Sequence, residues 1–420
     1  MLLRQAAESR YKWAVVGMLW GISFFNYADR QAVFAVFPLL EKELHLTSVQ
    51  LGLLGSSFAL TYGICALFAG AIVDRVRRVS AILWGLYVWS LICVATAASR
   101  TFPQLLGFRA AEGLGETLYF PASMSLISGY HSGDTRSRAM GLHQTSVYVG
   151  TVAGGFFAGL IGQHYGWRWS FVVFGGSGML LGAVIHRFLK EPPDSRGAGH
   201  RPAQSSGPTQ SSLKGFALLL RKPTVLCLMG AFLCANFVAV VLLSWMPKFL
   251  YDRFHLNLAM AGLAATIFAQ LASMLGAPIG GWLADTLRQR MPGGRLLVQA
   301  IGVFAGAPFV VLCGMTNSIG WLVVALTFWG FAKGLYDANI FASVYDVIPP
   351  ETRGSAAGLM NTVGWLGGGG TAPLTIGILA KSHGLGVAIA MASAVYLAAG
   401  AFLLIAMAFF VKRDLEAVAE

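Results

Sequence analysis

Apolar runs of about 20 residues, a length that lets a helix cross the hydrocarbon layer of a bilayer, dominate the chain. Short polar segments separate them. The chain contains twelve such runs, at about 13–37, 50–73, 80–99, 103–129, 139–162, 169–189, 223–249, 258–284, 296–315, 319–347, 356–380 and 386–411. The pattern predicts an all-α membrane protein with twelve transmembrane helices in two six-helix bundles.

The longest polar interval lies between the sixth and seventh runs and is rich in Pro, Gly, Ser and Gln. Such a composition is typical of a flexible linker at the membrane surface. We therefore predict an N-terminal bundle over residues 1–189, a linker over 190–222 and a C-terminal bundle over 223–420.

Composition supports this interpretation, because 56% of the 420 residues are hydrophobic and 11% are charged, whereas soluble domains carry about 25% charged residues. The net charge of +12 reflects topology rather than nucleic-acid binding. With both termini in the cytoplasm, twenty-one basic residues fall on the inner side and six on the outer side. This asymmetry follows the positive-inside rule. We expect an integral protein of the bacterial inner membrane, monomeric, with cytoplasmic termini.

Catalytic motifs are absent from the sequence. The five cysteines lie in apolar runs without metal-ligand spacing, and His143 is the one histidine well inside a run. There is no His-Glu-x-x-His, Gly-x-Ser-x-Gly or phosphate-binding loop. We expect no enzyme activity, no metal site and no cofactor.

Charged residues inside the apolar runs carry the functional signal. Arg109, Glu112 and Glu116 follow one another at i, i+3 and i+7, so a helix places them on one stripe. Charge at membrane depth is costly and usually faces a polar cavity or a partner of opposite sign. Arg30 of the first run offers a guanidinium fork suited to carboxylate or phosphate. It is either an anion-binding residue or the partner of Glu116 or Asp29 in a structural ion pair.

Glu116 falls near the middle of the fourth run, where it is a candidate to load a proton on one side and release it on the other. Asp29 adjoins Arg30 but points about 100° away around a helix. It is a second proton site or an anchor for Arg30. Arg109 and Glu112 are one turn apart, so Arg109 either contributes to the anion site or is neutralised by Glu112.

The tenth run contains a further pair, Lys333 and Asp337, which face the same way at i, i+4. Two interpretations stay open. The pair neutralises itself and fixes the helix, or it forms a second charged wall of a cavity that selects the substrate.

An internal repeat links the two halves. Gly-x-x-x-Asp followed by basic residues ends the second run at Asp74, Arg75 and Arg78, and it ends the eighth run at Asp285 and Arg288. Parallel repeats are typical of transporters whose substrate site lies between the halves near mid-membrane. We predict that these loops gate the cytoplasmic side through charged contacts, near Arg136 and Arg138 in the first half; the alternative is a topology signal alone.

The paired loops, twelve spans and central linker resemble the major facilitator superfamily over essentially the whole chain. Four stretches resemble the anion:cation symporter family: Tyr27-Ala-Asp29-Arg30, Arg109 to Pro121, Trp245 to Leu250 and Asn361 to Gly368. A second family, the Spinster-like lipid transporters, resembles Asn26 to Arg30 and Gly113 to Glu116.

The symporter resemblance implies proton-coupled symport of a small organic anion, a carboxylate or sugar acid, by alternating access. It implies that Glu116 is the membrane carboxylate, that Arg109 lines the outer part of the site and that Asn361 contacts substrate. Candidate cavity residues are Tyr62, Tyr148 and Asn236. Lys333 and Asp337 depart from the family pattern, where uncharged polar residues are expected. The Spinster resemblance implies a carrier of lysophospholipid or another amphiphile instead.

Overall fold

A computed structural model describes residues 2–73, 75–131, 133–192, 219–349 and 352–419 of the chain. Every secondary-structure element among these residues is helical. The spans of the N-terminal half are Leu2–Ala35 extended by Phe37–Leu44, Ser48–Val73, Arg78–Thr96, Phe102–Glu116 with Tyr119–Tyr130, Gly133–Tyr165 and Trp167–Phe188.

The C-terminal half also provides six spans. They are Pro223–Phe254, Leu258–Arg288, Gly294–Met315, Ile319–Asp337 with Ile340–Asp346, Arg353–Val363 with Gly364–Gly369 and Ala372–His383, and Leu385–Ile405 with Ala406–Phe410 and Val411–Ala419. The sixth span thus ends at Phe188 and the seventh begins at Pro223. The division of the chain at 190–222 stays a prediction, because residues 193–218 lie outside the described residues.

Ten helices of the described chain are long and apolar enough to cross a membrane. The two spans outside this group are the first and the fourth. These are the spans that carry Asp29 with Arg30, and Arg109 with the two glutamates, so their polarity marks the site. Together with the ten they complete the predicted twelve-helix fold. The fourth span is also interrupted at Thr117–Leu118, between two separate helices.

The eleventh span changes helix type in its middle. Residues Gly364–Gly369 form a π-helix between two α-helical segments. Single π turns are uncommon and often occur at functional sites. The glycines permit close packing here, since a Cβ on Gly368 would lie 2.6 Å from the Leu233 carbonyl oxygen of the seventh span.

The two halves touch along the end of the bundle away from the linker, which we call the far end. The largest apolar core cluster runs through both halves there, from Val33 and Phe37 to Trp245. Hydrogen bonds and close backbone contacts between the halves join Gln31 to the Leu243 carbonyl at 2.9 Å, the Leu374 amide to Ser56 Oγ at 3.1 Å, Gly155 to Gly262, and Lys248 to Glu41.

Candidate substrate and proton site

The first and fourth spans meet through a buried ion pair. Arg30 Nε donates to Glu116 Oε2. Arg30 is 8% exposed and Glu116 is 1% exposed. The second guanidinium nitrogen Nη1 of Arg30 and Oε1 of Glu116 are buried without a hydrogen-bond partner among the described residues. The structure therefore brings together the two residues that the sequence singled out, and leaves each with spare hydrogen-bonding capacity.

Four aromatic rings surround the Arg30 guanidinium. Its Cζ lies 4.8 Å from the ring centre of Tyr27, 5.0 Å from Phe58, 4.7 Å from Tyr62 and 5.5 Å from Trp365. We call these four residues the aromatic cage. A cation over the face of an aromatic ring is attracted by the ring quadrupole. The cage thus stabilises the charge of Arg30 in a region that offers it little water.

A second buried pair lies beside the first. Arg109 Nη1 donates to Glu112 Oε2 within the fourth span, and the Arg109 guanidinium stacks over Phe58 at 4.9 Å. Both charged residues are 0% exposed. The predicted neutralisation of Glu112 by Arg109 is confirmed as a contact. In this structure Arg109 is fully enclosed by protein, so its predicted contact with substrate stays a prediction.

Asp29 lies close to Glu112 of this second pair. One of its carboxylate oxygens, a Glu112 oxygen and the Cys93 sulfur all lie within 4.8 Å of one another. Among the described residues, these three side chains form the group close enough together to hold a metal ion. Asp29 Oδ1 is buried without a hydrogen-bond partner among the described residues. We assign no metal here, because Glu112 already pairs with a guanidinium and the Cys93 thiol adds only a soft ligand.

The tenth span carries the Lys333–Asp337 pair as an i, i+4 contact. The two side chains are 19% and 36% exposed. Both interact electrostatically with Tyr148 of the fifth span. Because the fifth and tenth spans belong to different halves, this pair lies near the interface between them. The contact itself is confirmed; whether the pair also binds substrate stays a prediction.

The remaining predicted contacts are at the seventh and eleventh spans. The side-chain amide of Asn236 donates to the Gly364 carbonyl at 2.6 Å, where the π-helix begins. Its amide nitrogen is thus used to hold the eleventh span. Asn361 is partly buried three residues before that carbonyl, and Tyr62 is partly buried with its ring 5.1 Å from that of Trp365.

The predicted gate residues of the C-terminal half form a charge network. Asp285 pairs with Arg295 at 2.6 Å, and Arg288 pairs with Asp346 at 3.0 Å. Arg295 also approaches Asp346 at 3.3 Å. Arg295 and Asp346 were missed from the sequence. Arg295 lies at the start of the ninth span and Asp346 at the end of the tenth. Charged residues at span ends are the signal that could have identified them.

In the N-terminal half the predicted gate is only partly visible. Asp74 lies outside the described residues. Arg75 is exposed and Arg78 is partly buried. Arg136 donates from Nε to the His131 carbonyl at 3.1 Å, so it caps the preceding span.

The sequence also missed two cage members, Phe58 and Trp365. Phe58 lies four residues before Tyr62, on the same face of the second span, so helical spacing could have identified it. Trp365 lies in the stretch Asn361 to Gly368 that resembles the symporter family, among several glycines. No local pattern indicates that its ring reaches Arg30 in the other half.

Comparison with known proteins identifies the family of the chain. Residues 19–372 and 254–418 match the family described as Major Facilitator Superfamily. A hexuronate transporter of Bacillus subtilis (strain 168) is 25% identical over 368 residues, which cover 86% of this chain and 87% of the relative. A D-galactonate transporter of Escherichia coli O6:H1 (strain CFT073) is 24% identical, with 97% of this chain and 98% of the relative covered.

A solved structure has the same fold. The crystal structure of a bacterial homolog to the human lysosomal transporter Spinster, in an inward-facing and occupied conformation, superimposes with a TM-score of 0.80 at 21% identity. The match covers 96% of this chain and 98% of that chain. The family match, the twelve helices and the paired halves agree. The chain belongs to the major facilitator superfamily of membrane transporters.

Proposed function

We propose that the protein is a proton-coupled symporter of a small organic anion, a carboxylate or sugar acid, working by alternating access. The observation that carries the proposal is the buried contact between Arg30 and Glu116, each with an unused polar atom. The printed names of the hexuronate and D-galactonate transporters support the same substrate class. A transporter of this kind has no catalytic residues.

In this mechanism Arg30 has two alternative partners. While Glu116 is ionised it holds the guanidinium. Protonation of Glu116 removes the negative charge, and Arg30 then binds the substrate carboxylate through its fork of N–H donors. Proton and anion therefore load together, because each makes the other's binding more favourable. Release of both on the other side restores the ion pair.

Charge balance supports at least one proton site in this cluster. Two guanidiniums, those of Arg30 and Arg109, lie among three carboxyl groups, those of Asp29, Glu112 and Glu116. With all five ionised, the cluster carries one uncompensated negative charge in a dry environment. Such a charge is costly unless it is paired. One proton removes it, and we assign the transported proton to Glu116, with Asp29 as a second site.

The other half supplies the second wall of the substrate site. We propose that the anion contacts Tyr62, Arg109, Tyr148 and Asn361, and that Asn236 shapes the site through Gly364. Lys333 and Asp337 face the substrate from the tenth span. Lysine donates to hydroxyl or carboxylate oxygens and aspartate accepts from hydroxyl groups, so the pair suits the polyhydroxylated part of a sugar acid.

The gates lie at opposite ends of the bundle. We assign the far end to the outside and both termini to the cytoplasm, in a bacterial inner membrane, with a monomer as the working unit. The contacts between the halves at the far end then close the outer gate. Arg75, Arg78, Asp285 and Arg288 lie at the linker end and, with Asp74, form the cytoplasmic gate.

Uptake into liposomes tests the proposal. The purified protein is reconstituted, and entry of radiolabelled galactonate and a hexuronate is followed with an inward proton gradient, with an inward sodium gradient, and with neither. We expect accumulation with the proton gradient alone. Accumulation that follows sodium, or equilibration that ignores both gradients, would contradict proton coupling.

A second candidate function is transport of an amphiphile, as the Spinster resemblance implies. The observation that favours it is an apolar groove of about 320 Å³ between the fifth and eighth spans, lined by Tyr148, Phe156, Leu263, Gln270 and Met274 among others. Such a groove suits an acyl chain. A thermal-shift screen separates the two functions: stabilisation by small carboxylates supports the anion symporter, and stabilisation by lysolipids alone supports the amphiphile carrier.

A further inference from the structure

The aromatic cage around Arg30 is built from both halves of the protein. Tyr27, Phe58 and Tyr62 belong to the first and second spans, whereas Trp365 belongs to the eleventh. Among the described residues, Trp365 is thus the cage member that the C-terminal half contributes. The Arg30 guanidinium of the N-terminal half is therefore in direct contact with the C-terminal half, and the two halves move against each other during transport.

Trp365 is held firmly within its own half. It lies in the π-helix Gly364–Gly369, whose first carbonyl accepts the hydrogen bond from Asn236 at 2.6 Å. Its own carbonyl accepts from the Gly370 amide at 2.6 Å. Because these bonds tie the backbone around Trp365 to the seventh span, a displacement of the residue is transmitted to two helices of the C-terminal half.

The attraction between Arg30 and Trp365 depends on what else the guanidinium contacts. With Glu116 ionised, the pair is neutral and the ring faces a compensated cation. With Glu116 protonated and no substrate bound, the guanidinium loses the carboxylate that it contacts directly, and its attraction to the ring face increases. A bound anion neutralises the guanidinium again and draws it toward the substrate. Each loading state therefore gives a different contact between the halves.

We propose that Trp365 is a positioning residue through which the C-terminal half responds to the charge state of Arg30. This inference rests on the proposed function, since it adds to the Arg30–Glu116 exchange the step that links loading to movement of the halves. Trp365 does not need to touch the substrate. Its contribution comes from the electron density of the indole face, not from its volume alone.

A graded experiment separates this role from ordinary packing. Fluorination withdraws electron density from the indole face while nearly preserving its shape, so cation–π attraction falls stepwise with each fluorine. Mono-, di- and trifluorotryptophan are incorporated site-specifically at position 365. The control is the same series at Trp321, a residue of the same half that is 60% exposed near the start of the tenth span and lies over no guanidinium in the described part of the chain.

Movement of the halves is followed by spin-label distances, independently of transport. Labels are placed by Gly141→Cys and Gly358→Cys, in a background without the five native cysteines. Both glycines are exposed near the linker end of the fifth and eleventh spans, and a Cβ on either meets nothing within 4 Å. Distance distributions are recorded at acidic and alkaline pH, with and without galactonate, and proton-driven uptake of galactonate is measured in parallel.

We expect the pH-dependent shift in label distance to shrink with each fluorine at position 365, and uptake to fall stepwise to about one tenth, while the Trp321 series stays level. A level series at position 365, or equal gradients at both positions, would overturn the inference. If the wild-type protein takes up no anion but the distance shift still follows fluorination, the proposed function fails and the role of Trp365 stands. If uptake is normal and both series are level, the proposed function stands and the role of Trp365 is refuted.

Discussion

Asp29 and Glu112 place carboxylate oxygens within 4.8 Å of each other, although they belong to different spans. Their surroundings differ. Glu112 accepts a hydrogen bond from Arg109, whereas Asp29 Oδ1 has no hydrogen-bond partner in the described part of the chain. Two neighbouring carboxyl groups disfavour joint ionisation. The acid without a guanidinium of its own is therefore the better candidate to carry a second proton.

The first prediction concerns proton stoichiometry. Asp29→Asn should lower the number of protons moved with each anion by one, because it removes the unpaired acid. Glu112→Gln, the matched control, should leave that number unchanged, since Glu112 is already neutralised by Arg109. Reversal potentials of reconstituted protein at set anion and proton gradients measure the ratio. The same ratio in wild type and both variants would assign Asp29 to an anchoring role.

The second prediction concerns anion affinity. Arg30→Lys keeps the charge but removes the planar fork, and Arg30→Ala removes both. Loss of hydrogen bonds to a charged group costs about 1.5–3 kcal/mol, so affinity should fall roughly 10- to 150-fold in the lysine variant and further in the alanine variant. Titration calorimetry with galactonate measures this. Unchanged affinity in both variants would refute anion binding by Arg30, provided that the wild type binds.

The third prediction concerns substrate choice at the Lys333–Asp337 pair. If the pair faces the substrate, Lys333→Gln should lower the affinity for a dicarboxylic sugar acid about tenfold more than the affinity for its monocarboxylic counterpart. The reason is that one charge-assisted hydrogen bond to the second carboxylate is lost. Asp337→Asn should not lower the affinity for the dicarboxylic acid. If the pair only neutralises itself, the double variant should bind both acids like wild type, while each single variant binds both acids equally poorly. Competition against labelled galactonate distinguishes the two.

The fourth prediction concerns closure of the far end. A Cβ on Gly155 would lie 2.7 Å from the Gly262 carbonyl oxygen of the other half. Gly155→Ala should therefore push the halves apart and reduce the population with a closed far end. Gly176→Ala is the control, since a Cβ there meets nothing within 4 Å. Labelling of a cysteine introduced at the far end should accelerate in the first variant alone. Equal labelling rates would show that this contact does not hold the gate.

Much of the fold is predictable because the hydrocarbon layer excludes charged side chains. Long apolar runs with few charges mark ten of the spans directly, and the denser charges around Arg30 and Arg109 mark the other two. The i, i+3 and i, i+4 pairs are equally visible, since helical geometry alone places Arg109 near Glu112 and Lys333 near Asp337. The pairing of Arg30 with Glu116 was one of the alternatives that the cost of an unpaired charge in the membrane favours.

Relations that depend on packing between helices were not predictable. Nothing near Trp365 in the sequence indicates that its ring faces Arg30 across the two halves, because that depends on the tilt of the eleventh span and on its π-helix. The position of Asp29 beside Glu112 likewise depends on the rotation of the first span against the fourth. Arg295 and Asp346 became visible as partners only once the ends of separate spans were brought together.

The account depends above all on Glu116 as the group that exchanges a proton for Arg30. Glu116→Gln keeps the size of the side chain and its ability to accept from Arg30, but removes the titratable group. Proton-driven accumulation of galactonate in liposomes should be lost in this variant, while counterflow between equal pools of substrate continues. Accumulation at the wild-type level in Glu116→Gln would contradict the central claim.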